Sequence, residues 1–219
     1  MRRILSVVSV AAVFGFSSVM GYAQLAATPW PMFHHDARHT GQSEYAGPSV
    51  PVFAWSYRLC GNGWMSRDSC PALWSDGRVY VGSPDNNLYS FSSIGGLVWS
   101  YQTYSAVGSS PALGSDGRVY VGVYSHTGRF TDYGSFDSFN SSGGLAWSYD
   151  FYSGVDYSPA LGSDGSVYLC HDNYVYCFNS SGGLVWTVLN SSSGSDPALG
   201  SDGSVCVGSY YGFNSFNSS

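Results

Sequence analysis

Residues 111–122 read Pro-Ala-Leu-Gly-Ser-Asp-Gly-Arg-Val-Tyr-Val-Gly, and similar stretches occur four times along the chain. In every copy, Pro-Ala-Leu is followed after one residue by Ser-Asp-Gly. A period of about 40–45 residues that contains four short strands is typical of the blades of a β-propeller. The repeat therefore predicts an all-β propeller. The turn aspartates, spaced 40, 48 and 38 residues apart, are Asp76, Asp116, Asp164 and Asp202.

One copy divides into four strands separated by turn residues. Pro-Ala-Leu is a short first strand, and Asp-Gly forms a tight turn because both residues accept a positive φ. The second strand follows at 118–122, the third lies within 135–140, and the fourth covers 145–149 after a Gly-Gly pair. Turn geometry thus explains the repeated aspartates without a ligand.

A tryptophan recurs in the fourth strand of the repeat. Its ring is large enough to fill the wedge between neighbouring blades, where the indole N–H needs a hydrogen-bond acceptor. We interpret these residues as structural rather than as a platform for a cofactor. They are Trp55, Trp99, Trp147 and Trp186.

The last copy stops before its fourth strand, and a similar strand stands near the N-terminus. Residues 53–57 read Phe-Ala-Trp-Ser-Tyr, close to Leu-Ala-Trp-Ser-Tyr at 145–149. Closing a ring removes the exposed edge that invites aggregation, so we expect about four four-stranded blades with 53–57 completing the last. Half of an eight-bladed ring and a truncated propeller are the alternatives. The repeats span 53–219, with blades at about 68–101, 109–149, 156–188 and 195–217 plus 53–57.

The composition favours β-structure and limits the partners. Hydrophobic residues make up 44% of the chain and charged residues only 10%, and Glu44 is the only glutamate. The net charge is −6 and the few arginines are scattered. The chain therefore lacks the basic surface that nucleic acids or anionic membranes require.

The N-terminus has the pattern of a secretory signal peptide. Arg2-Arg3 precedes an apolar run, and Gly21-Tyr22-Ala23 places small residues at a cleavage site. The apolar run is short for a membrane span of about 20 residues. We predict a signal peptide at 1–23, a leader segment at 24–52, and a secreted or periplasmic mature chain without a transmembrane span.

Export permits disulfides, and the chain has five cysteines. Cys60 and Cys70 flank a glycine-rich insertion and form one candidate pair. Cys170 and Cys177 flank a short turn, and a two-residue turn at 173–174 would place them opposite each other, close enough for a bridge. Two buried thiols are the alternative. Cys206 replaces a repeated tyrosine, so we expect a buried thiol there.

The complete copy has the form S-x-P-A-L-x-S-D-G-x-V-Y-V-G-S…L-Y-S-F-N-S-S-G-G-L-x-W-S-Y. This pattern resembles the repeat of pyrroloquinoline-quinone (PQQ)-type, or quinoprotein-like, propellers. Residues 30–41 resemble the leader before the first blade of exported members, and the resemblance covers about residues 30–217. It implies the fold, but not one activity.

The resemblance brings two kinds of function. The family includes dehydrogenases that bind PQQ and calcium, and non-catalytic members such as the propeller subunit of the bacterial outer-membrane assembly machinery. The dehydrogenases stack PQQ on a disulfide between adjacent cysteines, and no two cysteines are adjacent here. PQQ and calcium are therefore implied by resemblance alone, and we predict no cofactor.

Two clusters of polar residues are candidates for binding. His34, His35 and His39 are ligand-like, but the nearby glycine and prolines favour a loop that packs against the ring over a metal-binding helix. The second blade has an insertion between its second and third strands, and insertions in repeats form loops that carry binding. The candidate residues of this loop are His126, Arg129, Phe130 and Asp132.

The sequence shows neither a catalytic arrangement of Ser, His and Asp nor a phosphate-binding loop. We therefore expect a non-catalytic exported scaffold that binds a protein or another component of the cell envelope, an expectation that rests on fold analogy. The alternatives are a PQQ- or metal-dependent oxidoreductase and a carbohydrate- or cell-wall-binding module. A homodimer that completes a larger ring is a further expectation.

Overall fold

The computed structural model describes residues 26–28, 31–59, 69–124, 133–191 and 194–217. These residues contain sixteen β-strands in four antiparallel sheets and no helix, so the predicted all-β propeller is confirmed. The strands are β1 (Ala72–Leu73), β2 (Val79–Ser83), β3 (Asn87–Phe91), β4 (Leu97–Gln102), β5 (Ala106–Val107), β6 (Ala112–Leu113), β7 (Val119–Tyr124), β8 (Gly134–Phe139), β9 (Leu145–Phe151), β10 (Ala160–Leu161), β11 (Val167–His171), β12 (Tyr174–Phe178), β13 (Leu184–Leu189), β14 (Ala198–Leu199), β15 (Val205–Ser209) and β16 (Gly212–Phe216).

Each sheet is one blade in which neighbouring strands follow one another along the chain. The first blade is β1 to β4, the second β6 to β9 and the third β10 to β13. The fourth blade has three strands, β14 to β16. The second blade has one extra short strand, β5, which pairs with β7.

The blades have two different edges because their strands are antiparallel. The Asp-Gly and Gly-Gly turns lie at one edge, which we call the turn edge. The connections between second and third strands, and those between blades, lie at the opposite loop edge. Each turn aspartate accepts a hydrogen bond from the backbone N–H two residues later, and the glycines after them have φ of 82–86°. A left-handed φ is the reason for glycine at these positions.

The residue before each Pro-Ala-Leu links one blade to the next. The Cys70 N–H donates to Ser110 Oγ at 2.9 Å, and the Ser110 N–H donates to Ser158 Oγ at 3.0 Å. The Ser158 N–H donates to the carboxylate of Asp196. These four residues occupy equivalent positions in successive blades, so one relay of hydrogen bonds runs across all three blade junctions.

The leader crosses the innermost strands. The Leu113 N–H of the second blade donates to the carbonyl of Pro31 at 2.9 Å, and the Leu199 N–H of the fourth blade donates to the carbonyl of Ala37 at 2.6 Å. Between them, Met32 is fully buried in the cluster that the second and third blades share. The leader thus covers the inner face of the blades.

The expected closure of the last blade by 53–57 is wrong. This segment lies against the first blade, where Trp55 Nε1 donates to the carbonyl of Ser93 at 3.2 Å and the indole covers Gly95. In the described part of the chain, no strand pairs with the outer edge of β16. The structure is an open propeller in which 53–57 holds the place of an outer strand preceding the first blade.

The expected Cys170–Cys177 bridge is also wrong. The turn lies at Asp172-Asn173, one residue earlier than predicted, because Asp172 adopts a left-handed φ of 48°. The register then pairs Cys170 with Val175 and Cys177 with Tyr168, and both cysteines are buried free thiols. A shift of one residue sends a side chain to the other face of a sheet or past its partner.

The remaining cysteines differ in their status. Cys70 is a free thiol, but Cys60 lies outside the described residues, so their pairing stays a prediction. Cys206 is partly exposed rather than buried. The signal peptide at 1–23 and the loop residues His126 to Asp132 also lie outside the described residues.

Candidate functional site

The three leader histidines do not lie on a helix. His34, His35 and His39 all have left-handed φ values, from 55° to 77°. His34 stacks on Phe33, with ring centroids 4.0 Å apart, and meets His39 edge-on at 5.7 Å. Within the described ranges, no three His, Cys, Asp or Glu side chains are placed to hold a metal ion.

The leader carboxylate shapes its own loop. Asp36 accepts hydrogen bonds from the backbone N–H groups of Arg38 and Thr40 and from the Thr40 hydroxyl. Burial lowers the pKa of His39, while Asp196 of the fourth blade acts in the opposite direction. The hydrogen bonds of Asp36 thus fix the shape of the leader loop.

Three of the four repeated tryptophans make the same contact with a turn of the next blade. Trp99 Nε1 donates to the carbonyl of Ser141 at 3.2 Å, and Trp147 Nε1 donates to that of Ser180 at 3.0 Å. Each indole lies against the Gly-Gly turn of the next blade, as Trp55 does. Trp186 instead borders a cavity of about 680 Å³ between the third and fourth blades. The indoles of Trp55, Trp99 and Trp147 thus contact turn atoms of the neighbouring blade, as expected for a structural role.

A cleft opens at the loop edge of the second blade, beside the point where the predicted binding loop leaves the sheet. Its volume is about 510 Å³. The lining residues are Tyr104, Tyr133, Gly134, Asp150, Phe151 and Tyr152. Tyr152 is 94% exposed, so its ring is available to a partner.

A second cavity of about 420 Å³ continues this cleft along the face of β8 and β9 that is turned toward the first blade. The two cavities share Tyr104 and Asp150. The strand register places Asp150 opposite Ser135, and Asp137 opposite Ser148. We call the two cavities together the tyrosine cleft.

The floor of the tyrosine cleft carries a buried carboxylate. Asp137 is 5% exposed and accepts a hydrogen bond of 2.6 Å from the Ser148 hydroxyl. Burial raises the pKa of Asp137, and the nearby Asp150 acts in the same direction. Partial burial also raises the pKa of Tyr104 to about 12. An ionised Asp137 is thus destabilised until a positive group approaches it.

The sequence contains a signal for this site at one position of the repeat. Asp137 stands in Phe-Asp-Ser-Phe, where the first and third blades have Tyr89 and Tyr176 and the fourth has Asn214. A carboxylate in place of a repeated aromatic residue is not needed by the blade. The aligned repeats would have shown it.

A second polar cluster lies at the loop edge between the second and third blades. The Ser153 hydroxyl is 3.1 Å from His171 Nε2 and also donates to the carboxylate of Asp172 at 2.9 Å. Burial lowers the pKa of His171, and Asp172 opposes this effect. In a catalytic triad the acid holds the far nitrogen of the ring, whereas Asp172 binds the serine itself. The hydrogen bonds of this cluster stabilise the turn, and Ser153 is not positioned as the nucleophile of a catalytic triad.

Comparison with known proteins shows which solved structures have a similar architecture. No family model and no curated protein matches the chain. The solved structure of quinohemoprotein alcohol dehydrogenase ADHIIG from Pseudomonas putida HK5 matches 84% of this chain and 34% of that chain, with 17% identity and a TM-score of 0.66. BamB from Moraxella catarrhalis matches 68% of this chain and 46% of its own, with 17% identity and a TM-score of 0.53.

The chain has the β-propeller fold. A protein of unknown function from Bacteroides caccae shares it over 89% of this chain and 68% of that one, with 15% identity and a TM-score of 0.52. At these identities the likeness concerns fold alone, and this propeller spans less than half the length of the first two proteins. No helix in its described residues is long and apolar enough to cross a membrane.

Proposed function

We propose that this propeller is a non-catalytic, exported scaffold that binds a protein partner through the tyrosine cleft. The observation that carries the proposal is Asp137, a buried carboxylate at the floor of an open cleft. Other blades put tyrosine or asparagine there, so the fold does not demand the charge. Export rests on the predicted signal peptide.

The chemistry of the cleft favours a basic side chain of the partner. Asp137 and Asp150 supply negative charge. A cation that enters the cleft would offset the cost of burying the ionised carboxylate of Asp137. The rings of Tyr104, Tyr133 and Tyr152 can attract the same cation through their faces. A bidentate arginine satisfies a carboxylate better than lysine does.

Peptide titration tests this proposal. We expect a fluorescent peptide with a central Arg to bind the purified protein at least tenfold more tightly than the same peptide with Gln, and Asp137→Asn to remove most of this difference. Asp76→Asn, at the turn edge, is the matched control and leaves binding unchanged. Equal affinity for the Arg and Gln peptides would contradict the proposal.

Photo-crosslinking in cells tests whether the partner is a protein. A photoreactive residue at Tyr152 lies in the cleft, whereas one at Ile94 lies on an exposed turn at the other edge. We expect a defined protein adduct from position 152 that is lost with Asp137→Asn, and none from position 94. Identical adducts from both positions would show that the cleft is not the binding surface.

The described residues do not fit PQQ and calcium. Met32 and the carbonyls of Pro31 and Ala37 cover the inner strands, no adjacent cysteines exist, and the turn aspartates are hydrogen-bonded within their own turns. PQQ with Ca²⁺ that produced cofactor absorbance and dye-linked oxidation of alcohols would favour the oxidoreductase instead.

A saccharide is the second candidate ligand, because three exposed tyrosines border the cleft. Sugar rings stack on aromatic faces, and carboxylates accept hydrogen bonds from hydroxyl groups. Soluble cell-wall oligosaccharides that displaced the Arg peptide, with Tyr152→Ala more damaging than Asp137→Asn, would favour this candidate. Displacement by basic peptides alone favours the protein partner.

A further inference from the structure

A second carboxylate lies at the loop edge, across the end of β9 from the tyrosine cleft. Asp150 and Phe151 are neighbours at this end of the strand, so their side chains point to opposite faces of the blade. Asp150 lines both cavities of the cleft, whereas Phe151 also packs on the His171 ring of the third blade, with centroids 4.2 Å apart. The residue after this histidine is Asp172. The cleft therefore reaches the edge of the third blade.

Asp172 is held in a fixed position beside the cleft. The Ser153 hydroxyl donates to its carboxylate at 2.9 Å, and Ser153 directly follows Tyr152, which lines the cleft. The side chain of Asp172 is nevertheless 63% exposed. Tyr152 before its serine partner and Tyr174 after its turn are both exposed. Asp172 thus offers a carboxylate to solvent in an aromatic surrounding similar to that of the cleft.

The negative charge around the cleft has no arginine partner in the described part of the chain. His171 lies 3.4 Å from Asp172, but burial lowers the pKa of this ring, so it is uncharged at pH 7. The loop edge is therefore complementary to a basic partner. The ion pairs with arginine lie at the turn edge and in the leader, and they are Arg78 with Asp76, Arg118 with Asp116, and Arg38 with Asp36.

The floor of the cleft indicates which basic group fits there. The Ser135 hydroxyl is fully buried near Tyr104 and Asp137, but among the described residues it forms no well-aligned hydrogen bond. A guanidinium group carries five N–H donors in a planar fork, whereas an ammonium group is a point charge. One arginine can therefore donate to the carboxylate of Asp137 and to Ser135 Oγ at the same time.

We propose that the partner presents two basic side chains, an arginine for Asp137 and a second basic residue for Asp172. This inference rests on the proposed function, because it concerns the same partner. The partner chain crosses the end of β9 between the two carboxylates, beside the ring of Tyr152. The two contacts differ in strength. Asp137 is buried, whereas an ion pair at the exposed Asp172 is weakened by water and salt.

Fluorescent peptides with one or two arginines test the inference. In each, the central Arg is kept, and a second Arg replaces a neutral residue at increasing distances along the peptide. We expect one range of spacings to bind about threefold to fivefold more tightly than the single-Arg peptide, the gain typical of an exposed ion pair. Asp172→Asn should remove this gain, since Asn accepts the left-handed φ of 48° at this position. Asp164→Asn, at the turn edge of the same blade, is the matched control and should keep the gain.

Salt supplies a second readout on the same peptides. Raising the ionic strength from about 0.1 to about 0.5 M should remove the gain from the second Arg, because exposed charges are screened more than buried ones. A gain that persists in Asp172→Asn, or the absence of a gain at every spacing, would overturn the inference while the proposed function stands. Equal binding of the single-Arg and Gln peptides would overturn the proposed function, and this inference with it.

Discussion

The junction between the second and third blades and the junction between the third and fourth blades are built from the same repeat, yet they are packed differently. At the first, Trp147 contacts Tyr120, Phe136 and Phe178, and its indole lies on Gly182. At the second, Trp186 contacts Tyr168 and borders a cavity of about 680 Å³.

The difference shows where the stability of a blade comes from. Leu161 is almost fully buried, whereas its equivalent Leu199 is only partly buried, although both line this cavity. The side chains are the same, so the cover comes from the neighbouring copy. In a repeat array, stability is a sum of unit terms and nearest-neighbour terms. The interaction between the third and fourth blades therefore contributes less stability than that between the second and third blades.

Tryptophan truncation should give the largest contrast between the two junctions. We expect Trp147→Ala to lower the free energy of unfolding by about 3 kcal/mol, because it empties a packed aromatic site. Trp186→Ala should cost less than half as much, since its ring already borders a cavity. Urea unfolding of the two variants measures the difference, and equal losses would break the comparison.

The turn glycines give the next contrast. Gly182 has φ of 87° and an added Cβ would lie 2.7 Å from the Trp147 ring, whereas Gly203 has φ of 82° with no atom within 4 Å. We expect Gly203→Ala to cost about 1 kcal/mol for the left-handed backbone alone. Gly182→Ala should cost about 2 kcal/mol, because overpacking is added. Thermal or urea unfolding that ranked them in the reverse order would contradict the packing.

The hydrogen-bond relay predicts a smaller effect. Ser158→Ala removes the acceptor of the buried Ser110 N–H, and an unsatisfied buried donor costs about 1–2 kcal/mol. Ser163→Ala, on an exposed turn of the same blade, is the control and should change the free energy of unfolding by less than about 0.5 kcal/mol. If both variants unfold alike, the relay does not stabilise the junction.

Acid should weaken the packed junction by the smallest amount. Burial lowers the pKa of His171, with Asp172 opposing and Tyr176 also facing the ring. As the pH falls below about 6.5, the unfolded chain binds a proton that the folded chain refuses, so stability falls with pH. We expect a loss below about 1 kcal/mol between pH 7 and 6, absent in His171→Gln. An unchanged slope in this variant would remove His171 as the cause.

The repeat in the sequence predicts the blades and their turns because it records local geometry. The Asp-Gly and Gly-Gly pairs mark positions that need a left-handed backbone, and the structure has them there. The closure by 53–57 was wrong because this segment packs its tryptophan on the first blade but forms no strand pairing with β16. The cysteine bridge was wrong because one left-handed residue, Asp172, moved a turn by one position. Long-range contacts and the backbone conformation of a single residue leave no periodic pattern in the sequence.

The tyrosine cleft was not predicted, although its key residue was visible. Asp137 stands where two of the other three blades have tyrosine, but its burial and the approach of Tyr104 and Asp150 become evident only when two blades are placed side by side. The predicted binding loop begins at the strand ends that border this cleft. The insertion in the sequence points to the same edge of the second blade as the proposed cleft, but not to the chemistry of the cleft floor.

The leader has a consequence for how the chain acquires its structure. It is synthesised first, yet Ala37 hydrogen-bonds to Leu199 in the last blade. This contact of very high sequence separation cannot form until the chain has been synthesised as far as Leu199, and such contacts slow folding. The part of the leader around Ala37 therefore stays undocked until the fourth blade has formed. Its docking then links the second and fourth blades, so that neither unfolds independently of the other.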